Sequence, residues 1–185
     1  MKPVERSELL DHVTYNEQRE RSRPDALRVK AARRVVLGDG TLTFLFENRD
    51  TVRYQVQEMM RTEQIVKEAD IQHELTTYNE LLGGPGQLGC TLLIGIDDEA
   101  ERANKLADWL ALPEHVYLER ADGTRARAIF DARQVGEERL SSVQYLKFDV
   151  GEPPVAIGVD LPQLTLHEAL SDVARDALAA DLADR

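Results

Sequence analysis

The stretch from Thr41 to Gly86, TLTFLFENRDTVRYQVQEMMRTEQIVKEADIQHELTTYNELLGGPG, constrains the fold more than any other part of the chain. An apolar strand is followed by two consecutive helical patterns and then a glycine–proline stop. Asn48 or Asp50 can cap the first helix, over 50–66, and the second spans 69–82. Only Lys67–Ala69 separates them, so they form an antiparallel hairpin. On a helical wheel Val52, Val56, Met59, Met60 and Val66 make an apolar stripe, and Glu63 falls near its middle. Ile71, Leu75, Tyr78 and Leu82 form the facing stripe, bordered by Glu74.

Carboxylates on a core face are costly unless something compensates them. Glu63 and Glu74 sit about one turn either side of the connection, so they are expected at similar height. They can share a proton, be neutralised by Arg49, Arg53 or Arg61, or bind a metal ion. The arginine outcome is the expectation, with Glu63 buried in a polar network of Arg49, Glu58, Arg61, Glu63, Glu74 and Tyr78. The metal alternative takes Glu63, Glu74 and His73 as ligands of iron or manganese. It lacks the Glu-x-x-His spacing of di-iron bundles, because His73 directly precedes Glu74. On the opposite face Tyr54, Glu58, Arg61 and Ile65 recur at spacings of three and four, and Glu58–Arg61 reads as a surface pair.

Around this hairpin the elements alternate. Ser7 reads as the cap of a short helix, 8–13, and Pro24 as the first residue of a second helix ending near Arg34. Val35–Leu37, Gly38-Asp39-Gly40 and Thr41–Phe46 read as a β-hairpin, and Cys90–Ile96 as a central strand. A helix from Asp97 or Asp98 stops at Pro113. Strands 116–120 and 125–130 flank Asp122-Gly123, and further strands cover 143–148 and 155–159. Thr165-x-x-Glu168 reads as a capping box before a last helix to about Leu182. The pattern predicts an α+β fold, a mostly antiparallel sheet with a central helical hairpin and helices on one side. Residues 1–34 are expected as a helical N-terminal arm on a single domain, 35–185.

Composition excludes several function classes. Thirty-four Asp and Glu against twenty-three Lys and Arg give −11, which argues against nucleic-acid binding. No apolar run is long enough for a membrane span, and the N-terminus lacks a signal-peptide core, so a cytoplasmic protein is expected. Cys90, the single cysteine, permits no internal disulfide and reads as a small buried hydrophobe. Four scattered histidines show no ligand spacing, and GGPGQLG lacks the ending of a phosphate loop. One segment runs against the overall charge. Residues 18–34 hold Arg19, Arg21, Arg23, Arg28, Lys30, Arg33 and Arg34 against Glu20 and Asp25. It reads as a solvated helix or as a docking patch for an acidic partner or a second subunit.

FENRDTV (46–52), Gln57-Glu58-Met59, Arg61-x-Glu63-x-Ile65, Ile71–Leu75, Tyr78–Leu81 and Val143–Leu146 together resemble an uncharacterised bacterial domain-of-unknown-function family. The resemblance covers nearly the whole chain. Genes of that family tend to neighbour those of a rubrerythrin-like protein and a cysteine-rich iron–sulfur oxidoreductase. It therefore implies an accessory or docking protein of an iron-linked redox or peroxide-defence system, not itself catalytic. The alternative from the residues is a metal- or small-ligand-binding protein, or an enzyme, with a carboxylate site in the 47–80 hairpin.

Overall fold

The structure, a computed structural model, describes residues 1–184. Eight strands form one antiparallel sheet: β1 (Arg34–Leu37), β2 (Leu42–Glu47), β3 (Gln87–Ile94), β4 (Val116–Glu119), β5 (Arg125–Ile129), β6 (Val143–Asp149), β7 (Ala156–Leu161) and β8 (Leu164–Ala169). Their order is β1-β2-β3-β6-β5-β4-β7-β8. The sheet rolls until its edges β1 and β8 approach each other. At that seam Gly38, with φ +62°, leaves room for Leu166; a Cβ would stand 3.1 Å from Leu166 Cδ1.

The near-barrel has a filled interior. Alternation along β2 buries Leu42, Phe44 and Phe46, and β3, β6 and β7 send in Leu92, Leu146, Phe148, Ile157 and Val159. Cys90 lies in this apolar core, and burial pushes its thiol well up, so it is no nucleophile. Trp109 and Leu112 join the core from the segment spanning α4 (Glu99–Asp108) and the one-turn α5 (Leu112–His115). So do Ala174 and Leu178 of α6 (Asp172–Ala183).

A second core lies outside the barrel. Helices α2 (Arg49–Thr62) and α3 (Glu68–Asn79) form the expected hairpin through Val52, Val56, Met60, Ile71 and Leu75. Asn48 caps α2: its side chain accepts from the Thr51 N–H, while Thr51 Oγ1 accepts from the Asn48 N–H. Val4 and Leu9 close this cluster, so the N-terminal segment packs against the hairpin.

The structure corrects four expectations. The mixed, antiparallel character holds, but the sheet is a near-closed barrel and "helices on one side" does not describe it. Ser7 lies in a 3-10 turn (Arg6–Glu8), and one continuous helix, α1 (His12–Ala32), begins after Asp11 and runs through Pro24. Helix α2 ends at Thr62 rather than 66, because Gln64 adopts a left-handed conformation at φ +52°. Thr165 and Glu168 are strand residues of β8. The last helix starts after Ser171, whose Oγ accepts from the Ala174 N–H.

Candidate functional site

The early end of α2 decides the fate of Glu63. It becomes the C-cap, and its side chain is exposed, not buried in the apolar stripe. Among the described residues no cation pairs with it. Glu63, His73 and Glu74 do line one shallow groove of about 450 Å³ beneath the hairpin turn, together with Asp70. Among the described residues no three His, Cys, Asp or Glu side chains converge as a metal site.

The polar network forms one turn earlier and around a different carboxylate. Glu58, 17% exposed at its side chain, takes a fork from Arg19: Nε to Oε1 at 2.8 Å and Nη2 to Oε2 at 3.0 Å. Tyr15 donates its hydroxyl to Oε1 at 2.7 Å, and Arg61 adds a contact at 3.3 Å. Burial alone would raise the Glu58 pKa, but the bonds from Arg19 and Tyr15 outweigh it and hold it down at about 2. Burial and the same carboxylate push the Tyr15 phenol up. Arg49 joins no part of this network; it pairs with Glu8 at 2.6 Å. Sequence reasoning paired Glu58 with Arg61 but missed Tyr15 and Arg19, which lie on another helix.

This network clamps α1 to α2. The far end of α1 is clamped too: Arg33 forks onto Asp181 of α6 at 2.7 and 2.8 Å, and Asn48 donates to the same carboxylate at 3.1 Å. Tyr15, a member of the first clamp, is the one buried residue of α1, and none of residues 20–32 between the clamps is buried. Arg21, Arg23 and the adjoining Arg34 are exposed and form no ion pair among the described residues. Arg28 is matched by Asp25, Lys30 lies 5.6 Å from the Tyr54 ring centre, and Glu17 is the one α1 carboxylate with no cation among the described residues. Val13 and Leu27 are exposed on this helix, at 55% and 43%.

A larger cleft, about 650 Å³, opens behind α3. Its geometry follows from Gly89. A Cβ there would collide with the Leu81 carbonyl oxygen, so only glycine lets the turn that follows α3 sit directly on β3. The neighbouring outward residues of the row, half-buried Lys147 of β6 and its exposed partner Ile129 of β5, form the floor with Tyr145. Glu74 and Tyr78 of α3 make one wall. Phe130, Asp131 and Gln134 make the other. Gln134 takes the ladder position that β5 has vacated: Tyr145 N–H donates to its Oε1 at 2.8 Å, and its Nε2 donates to the Tyr145 carbonyl at 3.2 Å. Burial pushes the Tyr78 phenol up, and the Arg133 guanidinium holds Asp131 down at about 2. The sequence signal for the floor is the alternation of Tyr145 and Lys147 on the outward face of β6, which the helical hairpin overshadowed.

No helix among the described residues is long and apolar enough to cross a membrane. No curated protein matches the sequence. A crystal structure of a protein of unknown function from Burkholderia pseudomallei K96243 is similar at 29% identity, with a TM-score of 0.89. The similarity covers 98% of this chain and 100% of that one. The sequence profile of DUF3501, described as a protein of unknown function, matches residues 3–182. The chain thus belongs to the DUF3501 family.

Proposed function

We propose that this protein is a cytoplasmic accessory protein that docks, through the basic face of α1, onto an acidic component of an iron-linked redox or peroxide-defence system. The observation that carries the docking half is three exposed arginines with no ion pair among the described residues, Arg21 and Arg23 on α1 and Arg34 at the start of β1, with Val13 and Leu27 also exposed on α1. A chain of net charge −11 has ample carboxylates to neutralise three arginines. Among the described residues they stay unpaired, Arg21 and Arg23 on a helix clamped at both ends and Arg34 just beyond it in β1. Exposed cations of this kind steer an acidic partner, and the exposed Val13 and Leu27 offer it apolar contact. The redox assignment rests on the family resemblance and the gene neighbourhood it implies. The test is co-expression with the rubrerythrin-like and iron–sulfur oxidoreductase proteins of the same genome, followed by affinity capture. A complex that Arg21→Glu/Arg23→Glu abolishes supports the proposal. Failure to capture either protein under low salt removes the redox assignment.

A second reading has its own observation. The 650 Å³ cleft falls within the size range of small-ligand sites and takes a wall from α3, inside the 47–80 hairpin. A ligand-binding role there is compatible with docking through α1.

A further inference from the structure

The cleft behind α3 has a definite chemical character. Three aromatic rings line it, from Tyr78, Tyr145 and Phe130. Tyr145 is 46% exposed and Ile129 51%, although both belong to strands of the sheet. Large apolar side chains in a concave, unfilled position mark a place where a ligand removes them from water. The charges differ in availability. Asp131 is held by Arg133, whereas Glu74 and Glu80 form no ion pair among the described residues. Lys147 is the one cation of the lining, and it too forms no ion pair among the described residues. Arg133 lies near Glu80 as well as on Asp131; even counting it, Glu74, Glu80 and Asp131 outnumber Arg133 and Lys147 by one negative charge, and aromatic faces attract cations.

We propose that this cleft is a binding site for a small organic cation, an ammonium or guanidinium carried on an apolar body. The charge faces Glu74 and Glu80, and the body packs against Tyr78, Tyr145 and Phe130. Lys147 opposes the ligand's charge and so favours cations of spread or distal charge over compact ones such as a metal ion. The site is separate from the α1 face, so the two proposals stand or fall independently.

The test is a titration of the full chain, followed by NMR of the aromatic side chains, with three probes of similar body: 2-phenylethylammonium, 2-phenylethanol and phenylacetate. The expected result is saturable shifts of Tyr78 and Tyr145 with the cation, weaker ones with the alcohol, and none with the anion. Glu74→Gln/Glu80→Gln should weaken the cation by about fivefold and Tyr145→Ala by about tenfold, in keeping with partly exposed ion pairs and cation–π contacts. Lys147→Gln should strengthen it by about threefold. Glu99→Gln/Glu101→Gln, on exposed α4, should change nothing and controls for general charge. Tighter binding of phenylacetate, no saturable shift with any probe, or an effect of the α4 control equal to that of Glu74→Gln/Glu80→Gln would overturn the proposal.

Discussion

Replacing Glu58 with Gln tests the clamp that fixes α1 in place. The substitution keeps the shape and removes the charge that Arg19 and Arg61 share. The depression of the Glu58 pKa from 4.5 to about 2 corresponds to an upper bound of about 3 kcal/mol, at about 1.4 kcal/mol per tenfold change in proton affinity. Residual exposure and screening reduce this to about 1.5–3 kcal/mol, or a fall in Tm of about 4–10 °C for a domain of this size. Because the folded pKa is the lower one, the stabilisation is complete above about pH 4.5 and is lost as pH falls toward 2. At pH 3 about half of it should remain. Urea unfolding of wild type and variant at pH 7 and pH 3 measures both quantities. Amide exchange should show α1 losing protection before the barrel does. A difference below about 0.5 kcal/mol at pH 7, or one undiminished at pH 3, would refute the clamp.

Three further outcomes follow from the packing. Asp181→Ala leaves Arg33 buried without its counter-charge and should cost about 3–5 kcal/mol by chemical denaturation, whereas Arg33→Met/Asp181→Leu should recover most of the loss. Gly89→Ala drives a Cβ into the Leu81 carbonyl; it should cost at least about 3 kcal/mol and alter the amide shifts of α3 and β3 together. Glu63→Leu touches an exposed helix cap and should change the thermal midpoint by no more than a degree or two, the equivalent of about 0.5 kcal/mol.

What could be read from the sequence was local. The hairpins at Gly38–Gly40 and Asp122-Gly123, the α2–α3 pair, the central strand β3 and the Glu58–Arg61 contact all depend on residues close in the chain. Pro24 misled because its missing N–H ordinarily marks a helix start. Here the helix is held on both sides by Arg19–Glu58 and Arg33–Asp181, and the freed Glu20 carbonyl lies on an exposed helix where water can reach it. Thr165 and Glu168 fit a capping box, yet Leu164 and Leu166 alternate inward and Pro162-Gln163 turns the chain between β7 and β8. Helical periodicity carried Glu63 into the core only by extending α2 past Gln64, whose left-handed backbone no side-chain pattern announces. The barrel and the cleft depend on β3 pairing with β6 and β4 with β7. These contacts span dozens of residues and leave no periodic trace.

Sedimentation velocity tests the docking claim most directly. The chain is mixed with the rubrerythrin-like protein of the same genome, at low ionic strength and at about 0.5 M salt, as wild type and as Arg21→Glu/Arg23→Glu/Arg34→Glu. The prediction is a complex with the wild type at low salt, dissociation at high salt because exposed charges are screened within a few ångströms, and no complex with the variant under either condition. A complex that the triple variant still forms, or one that salt leaves intact, would contradict docking through the basic face of α1.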